Sequence, residues 1–98
     1  MKNADLPIGV FDSGLGGLTV LREIHAVLPS ESTIYLGDTA RVPYGIRSDE
    51  VVRQYVFQSM RFFESAGIKL LVLACNTATS IALEAVREVT CIPVIGVI

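Results

Sequence analysis

The chain has no run of basic residues, no apolar stretch near the ~20 residues that a membrane-spanning helix needs, and only two cysteines among its 98 residues. Each shortage removes a class of function. With a net charge of -2 and no cationic cluster, nucleic acid and anionic membrane surfaces are not expected partners. Cys75 and Cys91 lack metal-type spacing and read as free thiols rather than as a zinc site or a disulfide framework. The opening residues MKNADLP do not have the pattern of a secretion signal, so a cytoplasmic location is expected. Repeats, low-complexity tracts and linkers are also missing, and residues 1–98 are expected to form one domain. What is plentiful is apolar side chain. It makes up 51% of the residues and gives a mean hydropathy of +0.54, high for an independent domain of this length, which predicts that some apolar surface lies uncovered.

The chain is organised around Ile68 to Thr79, IKLLVLACNTAT. Leu70, Leu71, Val72, Leu73 and Ala74 form an unbroken apolar run bounded by polar residues, the pattern of a strand buried on both faces. Cys75 follows at once, then Asn76, Thr77 and Thr79, with helical spacing from Ser80 to Val89. The cysteine therefore stands where a parallel strand hands over to a helix N-terminus, the edge at which open α/β sheets bind ligands. Backbone N–H groups and the helix dipole favour negative charge there, and thiols in such places are the reactive kind. A cysteine so placed can be a base, a nucleophile or a small core residue.

From the start of the chain, Ile8 to Phe11 reads as a short strand ending at Asp12, followed by the glycine-rich turn Ser13-Gly14-Leu15-Gly16-Gly17. A first helix runs to about Leu28, with Val20, Leu21, Ile24, Val27 and Leu28 on its apolar face and Pro29 as the stop. His25 flanks that face and reads as a surface residue. Thr33 to Leu36 is the second strand, ended by Gly37 and Asp38. Thr39 to Arg47 has no clear period and is a long loop at the same sheet edge as Asp12 and Cys75. Ser48 caps a second helix that runs to about Ala66 and closes at Gly67. Its buried stripe is Val52, Tyr55, Val56, Ser59, Phe63 and Ala66, and Phe57 falls at the centre of the opposite, polar face. A fourth strand occupies Ile92 to Ile98.

Four strands alternating with three helices predict an α/β fold, a doubly wound parallel sheet in the order 2-1-3-4 with the first helix on one face and the other two on the opposite face. The switch point lies between strands 1 and 3 and brings Asp12 and Ser13 beside Cys75, Asn76 and Thr77. The turn after strand 1 admits other readings. Gly14 and Gly16 match the first two glycines of a dinucleotide fingerprint, with Asp38 as its ribose-binding acid, but Thr19 stands at the third position and Asp12 would repel a pyrophosphate. Alternatively the glycines only let the first helix pack close to the sheet. A non-catalytic nucleotide-binding module thus stays open beside an enzymatic site.

Four segments together, IGVFDSGLGGLTVL (Ile8 to Leu21), YLGDTARVPYG (Tyr35 to Gly45), ACNTAT (Ala74 to Thr79) and the terminal IPVIGVI, resemble in order and spacing the glutamate racemases of the cofactor-independent aspartate/glutamate racemase family. The resemblance implies an isomerase that interconverts L- and D-glutamate by two-base proton transfer without pyridoxal phosphate, metal or nucleotide. The D-glutamate would serve peptidoglycan synthesis, and with it cell-wall biogenesis and cell shape. The resemblance also implies that Cys75 is one of two catalytic cysteines and that Asp12 assists proton transfer and meets the substrate ammonium. Ser13, Asn76 and Thr77 then bind substrate, and Pro43, Tyr44 and Gly45 belong to a loop that closes on the ligand. An aspartate or other amino-acid racemase is the nearest alternative. The chemistry is consistent, because an α-proton is only feebly acidic and its base must be oriented, shielded from water and aided by groups that stabilise the carbanion. No lysine falls in the proposed cleft to form a Schiff base.

Racemisation by two bases needs a second proton donor on the opposite face of the α-carbon. Cys91 lies before the fourth strand, at the other sheet edge from Cys75, and a five-residue strand alone separates those edges by ~17 Å. Cys91 is therefore not the partner, and Cys75 is the expected reactive thiol. In the family the second cysteine belongs to a later part of the chain, which also completes this first domain. The ending in the apolar run Val94 to Ile98 accordingly reads as a truncated half-domain that is inactive alone. Self-association is expected through Phe57, the uncovered edge of strand 4, or both.

Overall fold

The computed structural model describes residues 3–14, 16–41 and 43–97, so Leu15 of the glycine turn, Val42 of the long loop and Ile98 of the fourth strand lie outside the described residues. Four parallel strands, β1 (Ile8–Asp12), β2 (Thr33–Gly37), β3 (Leu70–Leu73) and β4 (Val94–Gly96), form one sheet in the order β2-β1-β3-β4, as the alternation of elements predicts. The helices are α1 (Gly17–Val27), α2 (Asp49–Ala66) and α3 (Asn76–Val89), and the long loop contains 3-10 turns at Thr39–Arg41 and Tyr44–Ile46. Phe11 pairs with Leu36 on one side and Leu73 on the other, and Leu73 pairs with Gly96. The C-terminal ends of the strands therefore lie level.

Successive strand residues point to opposite faces, and each face has its own core. Ile8, Val10, Val72 and Ala74 pack with Val20, Leu21 and Ile24 of α1. Phe11, Leu71 and Leu73 pack with Val52, Val56, Met60 and Phe63 of α2 and with Ala78, Ala82 and Val86 of α3. Leu71, Val72 and Leu73 are all buried, so β3 is covered on both faces as its unbroken apolar run requires. The ends of α2 follow the residues that mark them. Ser48 Oγ accepts the Val51 N–H at 3.2 Å, and the Gly67 N–H donates to the Phe63 and Glu64 carbonyls.

Helical periodicity misplaces several side chains. Val27 is 72% exposed and Leu28 45%, although both fall on the apolar face of α1. The cause is length: His25, exposed as expected, meets Thr33 Oγ1 through Nε2 at 2.9 Å, and Thr33 pairs with Ile8 in the first row of the sheet. Residues after His25 run beyond the strands. On α2, Ala66 is exposed while Met60, off the expected stripe, is buried, and Phe57 is half-buried against the core instead of standing in solvent. This helix covers the sheet with one face and packs against α3 with another, so a single stripe cannot describe it. The exposed aromatic on α2 is Phe62. Helix α3 begins at Asn76, ahead of the helical spacing from Ser80, because Cys75 is its N-cap and the Thr79 N–H already donates to the Cys75 carbonyl at 2.9 Å.

Candidate active site

Asp12 ends β1 and is 1% exposed. Its Oδ2 accepts the Gly17 N–H at 2.9 Å and the Tyr35 hydroxyl at 2.9 Å, while Oδ1, also buried, meets no donor among the described residues. Leaving a buried acceptor unpaired costs roughly 1 to 3 kcal/mol, so the arrangement calls for an explanation beyond packing. Strand register brings the partners together. Tyr35 pairs with Val10, and the two-residue period puts both on the face of the sheet to which Asp12 belongs. The turn after β1 then returns the start of α1 over that face. It needs glycine at Gly14, where φ is 105° and a Cβ would lie 2.8 Å from the Thr39 side chain, and at Gly17, where a Cβ would lie 2.2 Å from Cγ of Asp12. Burial first, then the hydrogen bond and charge of Asp12, push the Tyr35 phenol up to about 12. It is therefore a proton donor throughout the neutral range.

A cleft of about 470 Å³ opens at the C-terminal ends of β1 and β3, within the usual size of a small-molecule site. Ser13, Cys75, Asn76 and Thr77 line it, and Pro43, Tyr44 and Gly45 close one side. Cys75 is 8% exposed and belongs to the core that also holds Phe11 and Tyr44. Neither α3, capped by Cys75, nor α1, capped by Gly16, has a side-chain cap bond. Two helix N-termini thus face one cleft, a setting in which orphan N–H groups suit carboxylates, although α1 already gives the Gly17 N–H to Asp12. Asp12 itself is not in the wall. Its carboxylate turns to Gly17 and Tyr35 on the α1 face, so the expected direct neighbourhood of thiol and carboxylate in one cleft is not what the described geometry has.

The loop that carries Tyr44 is tied down by a polar and aromatic chain. The Tyr44 hydroxyl donates to Asp38 Oδ2, Arg41 pairs with Asp38 at 3.4 Å and donates to Gln58 Oε1 at 2.6 Å, and its guanidinium lies 4.3 Å from the Tyr55 ring centroid. The Tyr44 ring packs against Phe11 and Tyr55, with centroids 6.3 and 5.6 Å away. Burial, reinforced by the hydrogen bond and charge of Asp38, drives the Tyr44 phenol well above its ordinary range. Asp38 is thereby committed to the loop and does not line the cleft, which removes the acid that a dinucleotide reading needs.

Residue patterns missed Thr19, Val20 and Val97 in the cleft wall. For Val97 the signal was register, since its N–H donates to the Leu73 carbonyl at 3.0 Å and so carries the chain past the end of β3. Cys91 is exposed and precedes β4, at the other edge of the sheet from Cys75. Among the described residues no three His, Cys, Asp or Glu side chains converge as a metal site, and no helix is long and apolar enough to cross a membrane.

Known proteins share this arrangement. Residues 8–98 match the Asp/Glu/Hydantoin racemase family. A glutamate racemase of Geobacter metallireducens is 59% identical over 91 residues, covering 93% of this chain and 34% of that protein. Another, from Oceanobacillus iheyensis, is 56% identical over 94 residues, covering 96% and 34%. The crystal structure of the Thermus thermophilus glutamate racemase in complex with β-chloro-D-alanine superposes with a TM-score of 0.92 at 48% identity, over 97% of this chain and 37% of that one. The Francisella tularensis glutamate racemase in complex with D-glutamate gives 0.89 at 43% identity, over 94% and 35%. The chain spans about a third of the length of these relatives, and on the match of its sequence and its fold it belongs to the Asp/Glu/Hydantoin racemase family.

Proposed function

We propose that this chain serves the interconversion of L- and D-glutamate, with residues 1–98 forming an α/β unit that supplies one of two bases, Cys75, and part of the glutamate site. The observation that carries the reading is the place of Cys75, nearly buried at the N-terminus of α3 in the wall of a cleft that also contains Ser13, Asn76 and Thr77. As thiolate, Sγ takes the α-proton and becomes a thiol. The electron pair left on the α-carbon spreads into the α-carboxylate, which the uncapped helix N-termini are suited to hold. Protonation of the opposite face then gives the other enantiomer and requires a second acid. Cys91 does not fill that role, because it is exposed and lies at the wrong edge of the sheet. The Pro43-Tyr44-Gly45 segment excludes water from the reacting centre, while Asp12, behind the cleft wall, anchors the start of α1 through the Gly17 N–H. Nothing in this proton transfer calls for pyridoxal phosphate, metal or nucleotide.

Cys91 is exposed and Cys75 buried, so access favours the one thiol and the helix N-terminus the other, and the discriminating quantity is ligand dependence. Glutamate should slow alkylation of Cys75 and leave Cys91 unchanged, and a dinucleotide should protect neither, all read by mass-spectrometric mapping. Failure of glutamate to protect Cys75 at saturating concentration counts against the reading. We infer in addition that the chain self-associates through β4, which is an outer strand of the sheet with Ile95 48% exposed. Phe57 takes no part, being packed on the core.

A further inference from the structure

We propose that Thr79 is a positioning residue for Cys75, its hydroxyl tying the end of β3 to the first turn of α3 so that the thiol keeps its place at the cleft wall. The inference rests on the reading of Cys75 as a base and adds to it the group that holds that base. Thr79 is 3% exposed and does not line the cleft, so it acts on a ligand only through its neighbours. A threonine in a helix ordinarily returns its hydroxyl to the carbonyl three or four residues back. Here Oγ1 reaches six residues back and donates to the Leu73 carbonyl at 3.2 Å, while the Thr79 N–H donates to the Cys75 carbonyl at 2.9 Å. One residue thus grips the chain on both sides of Ala74, at the corner where strand becomes helix.

That corner lacks the usual tie. Cys75 is the N-cap of α3 but makes no side-chain cap bond, which leaves its sulfur free for chemistry and the helix entry without the restraint that a capping side chain gives. Backbone bonds hold the neighbouring peptide groups, from the Ala74 N–H to the Phe11 carbonyl at 2.7 Å and from the Val97 N–H to the Leu73 carbonyl at 3.0 Å. Thr79 Oγ1 adds a side chain to this set. The Leu73 carbonyl has two lone pairs and keeps its Val97 bond when the hydroxyl is removed, so removal leaves no buried acceptor orphaned and the fold tolerates it. What is lost is the tie from strand end to helix, and a base that takes an α-proton needs a fixed direction.

The test follows iodoacetamide alkylation of the ligand-free chain by mass-spectrometric mapping, with Cys91 as the internal reference. Thr79→Val replaces the hydroxyl by a methyl group and should speed alkylation of Cys75 about five-fold or more, since a nearly buried thiol reacts through local opening of the segment that carries it. Cys91 should change less than two-fold. Thr79→Ser keeps the hydroxyl and should leave Cys75 within two-fold of the wild type. Val86→Ala truncates a buried residue about two turns further along α3, and it should lower the urea midpoint while Cys75 again stays within two-fold. An unaltered Cys75 rate in Thr79→Val, or an equal rise in Thr79→Ser, would show that the hydroxyl does not hold the corner. An equal rise in Val86→Ala, or a Thr79→Val chain that failed to fold, would reduce Thr79 to a part of general stability. Each of these overturns the proposal. The glutamate reading is judged apart from it: glutamate that failed to protect Cys75 in the wild type would overturn that reading, whereas the ligand-free rates decide the role of Thr79 alone.

Discussion

Gly17 and Asp12 lie so close that a methyl group on Gly17 would come within 2.2 Å of Cγ of Asp12, while the Gly17 N–H bonds the same carboxylate. The end of β1 and the start of α1 are therefore a single device, and its glycine is needed for space. Gly17→Ala must displace the carboxylate or unwind the first turn of α1, and a loss of about 1 to 3 kcal/mol is expected, the usual cost of overpacking. Gly45→Ala is the control, because a Cβ there meets nothing within 4 Å, and it should stay within about 0.5 kcal/mol of the parent. Urea unfolding of both variants checks this, and equal midpoints would contradict the close contact.

Much of this arrangement was legible in the residue pattern, for physical reasons that also explain the omissions. The doubly apolar run at Leu70 to Leu73 reads best as a central strand, and that placement, together with crossover handedness, favours the observed order β2-β1-β3-β4. Ser48 and Gly67 bounded α2 because caps depend on local backbone chemistry. Phe57 falls on the polar face of a helical wheel, which assumes one buried face, whereas α2 touches both the sheet and α3. The bond from Tyr35 to Asp12 was invisible for a related reason. It depends on the register of β1 against β2, which joins residues 23 apart, and no local pattern encodes that register. Ser13, Tyr44, Cys75, Asn76 and Thr77 of the motifs share the cleft wall, yet the turn of the Asp12 carboxylate away from it depends on which face of the sheet its side chain takes.

The two raised phenols make stability fall in alkali. Tyr35 is pushed up to about 12 and Tyr44 further, each from a model-peptide value of 10.0, by burial and then by hydrogen bonding to Asp12 and Asp38. Below pH 10 both folded and unfolded chains keep these protons, and the stabilisation is fully present. Above it the unfolded chain releases them first, so the unfolded state binds fewer protons and stability declines as pH rises toward 12. Urea midpoints between pH 9 and 11.5 should drop steadily in the wild type. Tyr35→Phe and Tyr44→Phe should each flatten that slope, by similar amounts, because both folded phenols keep most of their proton across this interval. A pH-independent midpoint across this interval would mean that neither phenol is held as described.

One base without its counterpart can exchange a proton but cannot invert the centre. Incubated alone with either enantiomer of glutamate in deuterium oxide, the chain should produce no net racemisation by polarimetry. At most it should wash deuterium slowly into the α-position of one enantiomer, seen by proton NMR, and Cys75→Ala should abolish that exchange. Cys91→Ala should leave it unchanged, since Cys91 stands at the opposite sheet edge. Turnover that follows the purified chain and disappears with Cys75→Ala would show that residues 1–98 already hold the second acid.

Self-association should depend on the strand edge and not on the aromatic face of α2. Beyond β4 the sheet has no further strand among the described residues, and Ile95 is 48% exposed on it. An open edge offers unpaired N–H and C=O groups to another chain, and burying an isoleucine adds ~1.5 to 3 kcal/mol, enough to assist a dimer whose backbone bonds supply the rest. Ile95→Lys places a solvated charge on the edge, a common natural defence against pairing, and should shift sedimentation toward the monomer at high concentration. Phe57 lies half-buried beside Met60 and Val89 in the seam between α2 and α3, so Phe57→Ser should lower stability and leave the association unaltered in the molecules that remain folded. Sedimentation that showed a monomer at every concentration, or a dimer indifferent to Ile95→Lys, would count against pairing through β4.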